Sequence, residues 1–226
     1  MGEMIEFPSN GSVDQGYVAT PGKGSGPGVV VIQEWWGLVP HIKDVCDRFA
    51  DAGFVALAPD LYRGAQASEP DEAGKQMMAL ELGRAAADMS GAVDELRRRC
   101  GSDAVGVVGF CMGGGLALVL AASRPDAVVA CVPFYGLIPW PEAKPDYSQM
   151  RAAVLAHIAE LDGYFGPEAA AGLEAELKKG GIDAQFHVYP GADHAFFNDT
   201  RPEVFKADAS AVAWQRTLDF LHAHLG

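Results

Sequence analysis

Positive charge is scarce in this chain. Lysine and arginine number 17 against 30 aspartates and glutamates, a formal net charge of −13 over 226 residues. Such a balance excludes a basic footprint for nucleic acid or for an anionic membrane surface. Cysteine is also sparse: Cys46, Cys100, Cys111 and Cys131 include no C-x-x-C pair. Met1-Gly2-Glu3-Met4-Ile5-Glu6 has no basic segment followed by an apolar one, so no signal peptide is expected, and Glu6 stands where myristoylation needs Ser or Thr. The four cysteines therefore read as reduced thiols in a cytoplasm. No apolar run is long enough to span a bilayer; the longest is Gly113 to Ala122. No histidine pair has the spacing of H-E-x-x-H, and no Gly-Lys is followed by Ser or Thr. Neither a metal nor a cofactor is expected.

A hydrophobic content of 49% supports a sizeable core. The chain length fits one domain over residues 1–226. Gly28 to Ile32 reads as a fully buried strand, His41 to Ala52 as an amphipathic helix ended by Gly53, and Phe54 to Ala58 as the next strand. Glu72 to Arg99 reads as one long helical stretch. Strands follow at Val105 to Val108, Ala127 to Phe134, Ala152 to His157 and Ala184 to Tyr189. Helices are expected after Gly113, over Pro167 to Lys179 and over Glu203 to His224. Strands alternate with helices and the inner strands are continuously apolar. That pattern predicts an α/β fold with a mostly parallel central sheet and helices on both faces. Pro139 to Pro145 is a proline-rich loop, read as a rim of the site.

The most informative segment is Gly109-Phe110-Cys111-Met112-Gly113, between an apolar strand and a helical run opened by glycines. This is the layout of a nucleophile elbow, with Cys where hydrolases usually carry Ser. Small flanking residues are needed where the turn approaches neighbouring backbone, and the helix that follows aims its N-terminus at the thiol, an arrangement that favours a thiolate. An attacking thiol needs a base, and the base an orienting group. Functional loops of such sheets follow the carboxyl ends of strands. Asp162 and His194 both do, and the order Cys111, Asp162, His194 is that of an α/β-hydrolase. Glu160 and Asp193 are the rival carboxylates. A backbone N–H in Gln33-Glu34-Trp35-Trp36-Gly37 is placed to join that of Met112 as an oxyanion hole. Glu34 then sits near Cys111, where a carboxylate opposes thiolate formation unless it is a base or is paired. Cys46 and Cys131 read as core residues, and His41, His157, His187, His222 and His224 as structural.

These residues resemble the dienelactone hydrolase family, α/β-hydrolases with a cysteine nucleophile. The resemblance rests on Gln33-Glu34 with Gly37, Ala58-Pro59-Asp60-Leu61-Tyr62, Gly109 to Gly114 and Asp193-His194-Ala195-Phe196. It implies a Cys111-His194-Asp162 triad, a Glu34 that interacts with the resting thiol, and oxyanion-hole amides from Trp35 and Met112. Trp36, Tyr62, Phe110 and Asn198 are expected to touch substrate. The family's characterised members hold a substrate carboxylate with arginine, one of them four residues after the histidine. Here Asn198 stands there, and Arg63, Arg84 and Arg201 are the alternatives. The expected activity is hydrolysis of a small ester or lactone through an acyl-cysteine intermediate, with dienelactone itself not the specific substrate; the sequence does not fix the oligomeric state, and a monomer is the favoured reading. The competing reading is a redox-responsive or non-catalytic binding protein in which Cys111 is a sensor thiol.

Overall fold

The structure is a computed structural model and describes residues 1–9, 11–136 and 138–226. Its strands are β1 (Glu3–Ser9), β2 (Ser12–Ala19), β3 (Gly28–Ile32), β4 (Val55–Pro59), β5 (Val105–Phe110), β6 (Val128–Phe134), β7 (Ala153–Ala159) and β8 (Ala184–Tyr189). They form one sheet in the order β1-β2-β4-β3-β5-β6-β7-β8. The pairings β1–β2 and β2–β4 are antiparallel, and the pairings from β4 to β8 are parallel.

Every residue of β3, β4, β5 and β7 is buried. Runs such as Val29-Val30-Val31-Ile32 suit this place because both sheet faces are covered. Helices α3 (Leu82–Cys100), α4 (Met112–Ser123) and α5 (Pro167–Lys179) cover one face with Met89, Leu96, Leu116 and Leu177. Helices α1 (Pro40–Asp51) and α6 (Ala207–Leu225) cover the other with Ile42, Phe49, Ala213 and Leu221. Burying each such Leu, Ile or Phe contributes roughly 1.5–3 kcal/mol.

Three features differ from the sequence reading. The segment read as one helix is two, α2 (Pro70–Met78) and α3, because Glu81 is extended (φ −75°, ψ 97°). Leu80 turns into the core at the break and is 9% exposed. A single straight helix could not bury Leu80 together with the α3 stripe of Ala85, Met89, Ala92 and Leu96. The β1–β2 hairpin was absent from the reading, although its Met4-Ile5-Glu6-Phe7 alternation and the Asn-Gly at positions 10 and 11 are strand and hairpin signals. The Pro139 to Pro145 loop does not rim the site. Trp140 is buried in the α3–α4–α5 core, and Glu142 to Pro145 lie against α3 and α4.

Strand order decides where a site can form. From β3 the chain steps to β4 on one side, and later returns as β5 on the other. That reversal opens a crevice outside the carboxyl ends of β3 and β5. Ile32 pairs with Gly109, Phe110 with Phe134, and Phe134 with His157. The residues following β3, β5, β6 and β7 therefore emerge side by side.

Candidate active site

Cys111 is the cap residue between β5 and α4, with φ 57° and ψ −123°. A non-glycine residue there is strained, and the surroundings must hold it. Its N–H donates to Phe134 O at 3.1 Å, and its own carbonyl accepts the N–H of Gly114 at 2.9 Å. The glycines beside it are sterically required. A Cβ on Gly109 would strike Gly113 O, one on Gly113 would strike Gln33 O, and one on Gly114 would lie 2.7 Å from Gly136 Cα. The turn thus fits only because three glycines let α4 sit against β3 and β6.

Cys111, 6% exposed, opens into a cleft of about 340 Å³. His194, Glu34, Trp35, Trp36, Tyr164, Asp193 and Arg201 line the same cleft, with Pro70 and Met77 from α2. His194 Nδ1 lies 2.7 Å from Asp162 Oδ2. Asp162 Oδ1 accepts the N–H of Tyr164 at 2.8 Å and of Phe165 at 3.1 Å, so the loop after β7 fixes the carboxylate. The rival acids are engaged elsewhere: Glu160 accepts Gly191 N–H, and Asp193 accepts the backbone N–H of His194.

Burial alone would lower the pKa of His194. Hydrogen bonds to Asp162 and Cys111, and the charges of both, outweigh burial and raise it to about 10. Burial likewise works against the Asp162 carboxylate, but His194 and the two backbone amides hold its pKa below the usual value. The rings of Tyr135 and Tyr164 flank His194 at 5.1 and 5.2 Å.

Glu34 is 1% exposed and borders the cleft. Its Oε2 accepts Asn198 Nδ2–H at 2.7 Å. Asn198 Oδ1 accepts the N–H of Thr200 at 3.1 Å and its hydroxyl at 2.6 Å. Two donors on the oxygen leave the amide N–H₂ to face the carboxylate. Asn198 is therefore spent on Glu34, and it does not border the Cys111 cleft; it borders a neighbouring hollow of about 250 Å³.

Two other residues expected to touch substrate lie off the cleft. Phe110 is fully buried, 4.8 Å from the Phe134 ring and 5.5 Å from that of Phe197, because strand alternation turns it into the core. Tyr62 donates its hydroxyl to Met112 Sδ at 3.4 Å. Trp36 does line the cleft. Among the described residues, neither Trp35 N–H nor Met112 N–H donates to another protein group.

The arginines separate clearly. Arg63 pairs with Asp88 at 3.1 Å, and Arg84 pairs with Glu81 at 3.3 Å. Arg201 alone of the three borders the cleft. It sits 5.4 Å over the Trp36 ring and is paired with Glu203 at 2.7 Å. Among the described residues, no group of three or more His, Cys, Asp or Glu side chains could hold a metal ion. No helix there is long and apolar enough to cross a membrane.

Tyr135, Tyr164, Thr200 and the α2 residues escaped the sequence reading. Tyr135 carried a usable signal, since it directly follows β6 as Cys111 follows β5.

A mostly parallel sheet with a strained cysteine at the strand-to-helix turn and a His–Asp pair on later loops defines an α/β-hydrolase fold. Residues 15–225 match the family model of the dienelactone hydrolases, and the chain belongs to that family of lactone-ester hydrolases. It is 40% identical over 234 residues to "Protein usf" of Aquifex pyrophilus, and all of both chains is covered. It is 38% identical over 239 residues to the "Putative carboxymethylenebutenolidase" of Aquifex aeolicus, again over all of both chains. The crystal structure of the "Putative Dienelactone Hydrolase" of Klebsiella pneumoniae is similar, with a TM-score of 0.88, 27% identity and 98% of each chain covered.

Proposed function

We propose that the protein hydrolyses a small neutral ester or lactone through an acyl-cysteine intermediate, with Cys111 as nucleophile, His194 as base and acid, and Asp162 as orienting group. The observation that carries this is the 2.7 Å contact from Asp162 to His194, which lines the cleft that Cys111 enters from its strained turn. With the thiol's proton already held by His194, whose pKa is raised to about 10, Cys111 sulfur attacks the carbonyl carbon. The carbonyl oxygen gathers charge and is stabilised by the N–H groups of Trp35 and Met112. On collapse, the bond to the leaving oxygen breaks and His194 returns the proton to the departing alcohol. A water molecule then attacks the thioester carbon, giving up its proton to His194. The bond to sulfur breaks, the acid leaves, and Cys111 is again paired with His194, which holds the proton. Asp162 holds the ring in the tautomer that leaves Nε2 free to accept, and stabilises the imidazolium. Glu34 faces the resting thiol. No step needs a cofactor.

The cleft walls support a neutral substrate. Trp35, Trp36, Pro70, Met77 and Val204 are apolar, and Glu203 already pairs with Arg201 at the rim. Asn198 stands at the family's arginine position without a charge. Losing one charge-assisted contact of ~1.5–3 kcal/mol lowers selectivity for a carboxylate roughly ten- to a hundredfold. A hydrolysis screen of small esters, lactones and thioesters tests the reading. Cys111→Ala should lose turnover, while Cys46→Ala and Cys131→Ala keep it, and mass spectrometry should detect an acyl adduct on Cys111. Substantial turnover by folded Cys111→Ala protein overturns the nucleophile. A preference for a carboxylate-bearing ester over its neutral analogue, abolished by Arg201→Ala, overturns the substrate charge.

A further inference from the structure

Tyr135 is the first residue after β6, and its backbone adopts φ 39°. A bulky side chain is rarely found in that left-handed region, and such outliers cluster at functional sites. Its N–H is held by His157 O at 2.7 Å. The side chain is fully buried, with its ring beside His194. Its hydroxyl and Glu34 Oε1 are both buried atoms that make no hydrogen bond of good geometry among the described residues. Tyr135 follows β6 and Glu34 follows β3, strands whose carboxyl ends open on the same crevice, and both residues lie against the Cys111–His194 cleft. Burial first, then the charges of Glu34, Cys111 and Asp162, push the phenol pKa far up. The phenol therefore keeps its proton, and the group it faces is a carboxylate with one oxygen still unserved. A left-over donor beside a left-over acceptor at a strained position calls for an explanation beyond packing.

We propose that Tyr135 is a positioning residue for Glu34: its hydroxyl serves Oε1 as the Asn198 amide serves Oε2, so that the carboxylate is held from both sides facing Cys111. The proposal rests on the reading of the cleft as the active site. Its consequence is that Glu34 is kept from swinging toward His194 and competing with Asp162 for the imidazolium.

The test is Tyr135→Phe, which keeps the ring and removes the donor. We expect kcat for a neutral ester to fall about tenfold, as for loss of a hydrogen bond to a charged group, with KM changed less than about twofold. The pH profile of Cys111 alkylation by iodoacetamide, measured against Cys111→Ala protein, should move to lower pH, because a released Glu34 carboxylate turns from Cys111 toward His194 and opposes the thiolate less. Tyr135 acting through Glu34 predicts non-additivity: Tyr135→Phe with Glu34→Gln should lose no more than Glu34→Gln alone. Tyr147→Phe, a tyrosine elsewhere in the fold, should behave as the parent. Tyr135→Met provides the same readouts where the Phe variant does not fold. A folded variant of either kind with the parent kcat and alkylation profile overturns the proposal, as does full additivity with Glu34→Gln. If Cys111→Ala retains hydrolysis, the nucleophile assignment falls, while the alkylation profile still reports on the Glu34 cradle.

Discussion

Asp162→Asn separates orientation from architecture at this site. Asp162 uses its two oxygens differently: Oδ1 takes two backbone N–H groups of its own loop, and Oδ2 takes His194 at 2.7 Å. An asparagine can keep its carbonyl oxygen on the loop amides, so the loop after β7 should stay formed. Its N–H₂ then points at His194 Nδ1. The ring must answer with a lone pair at Nδ1, which puts its proton on Nε2, where it cannot accept one from the thiol. Aspartate-to-asparagine in a serine triad lowers kcat about 10⁴-fold for this reason. A thiol gives up its proton more readily than a hydroxyl, so we expect a loss on the order of a thousandfold here. KM should stay near the parent value because Asp162 does not line the cleft. The lost charge-assisted bond should also lower stability by roughly 1.5–3 kcal/mol. Steady-state hydrolysis of a chromogenic acetate ester, with circular dichroism and thermal melting on the same samples, measures all three quantities. Folded Asp162→Asn protein with kcat within about tenfold of the parent refutes the assignment of Asp162 as the orienting acid.

Two further expectations follow from the same contacts. The pKa of His194 is raised from 6.5 to about 10, so its contribution to stability is full below pH 6.5 and fades as pH rises toward 10. The pKa of Asp162 is lowered from 3.8, so its contribution is full above that value and is lost as pH falls through the lowered one. The Tm advantage of the parent over Asp162→Asn should therefore peak between about pH 4 and 6.5 and shrink toward pH 10; an advantage that stays constant across that range contradicts the pair. Gly114→Ala puts a Cβ 2.7 Å from Gly136 Cα and 2.9 Å from Phe134 O. It should cost ~1–3 kcal/mol and displace the Cys111 turn, seen as a lower Tm together with lost ester hydrolysis, and a variant equal to the parent in both would show that the turn has slack.

The elbow was legible because its determinants are neighbours in sequence. An apolar strand, a glycine two residues to either side of Cys111 and a helix directly after it specify the turn without tertiary knowledge. The alternation of strands and helices likewise carries the parallel sheet. The helix break at Ala79 to Glu81 was not legible, since no glycine or proline marks it and the reason for it is where Leu80 must go. The β1–β2 hairpin is a different case. Its signals were present but local, and a solvent-facing edge strand alternates too weakly to compete with the continuous apolar runs of β3 and β5.

Side-chain direction is the harder problem, and Asn198 illustrates why. Counting four residues from His194 locates its backbone correctly, on the loop beside the cleft. It does not tell that Thr200 occupies the amide oxygen from two sides and so turns the nitrogen toward Glu34. The same offset that seats a substrate-binding arginine elsewhere in the family here seats an internal strut. Charge makes the difference. An arginine at this position would give the buried Glu34 a cation, whereas an asparagine gives it only a neutral donor. Glu34 must then find its second partner within the protein. On the proposal above that partner is Tyr135, whose buried hydroxyl has no other hydrogen-bond partner among the described residues.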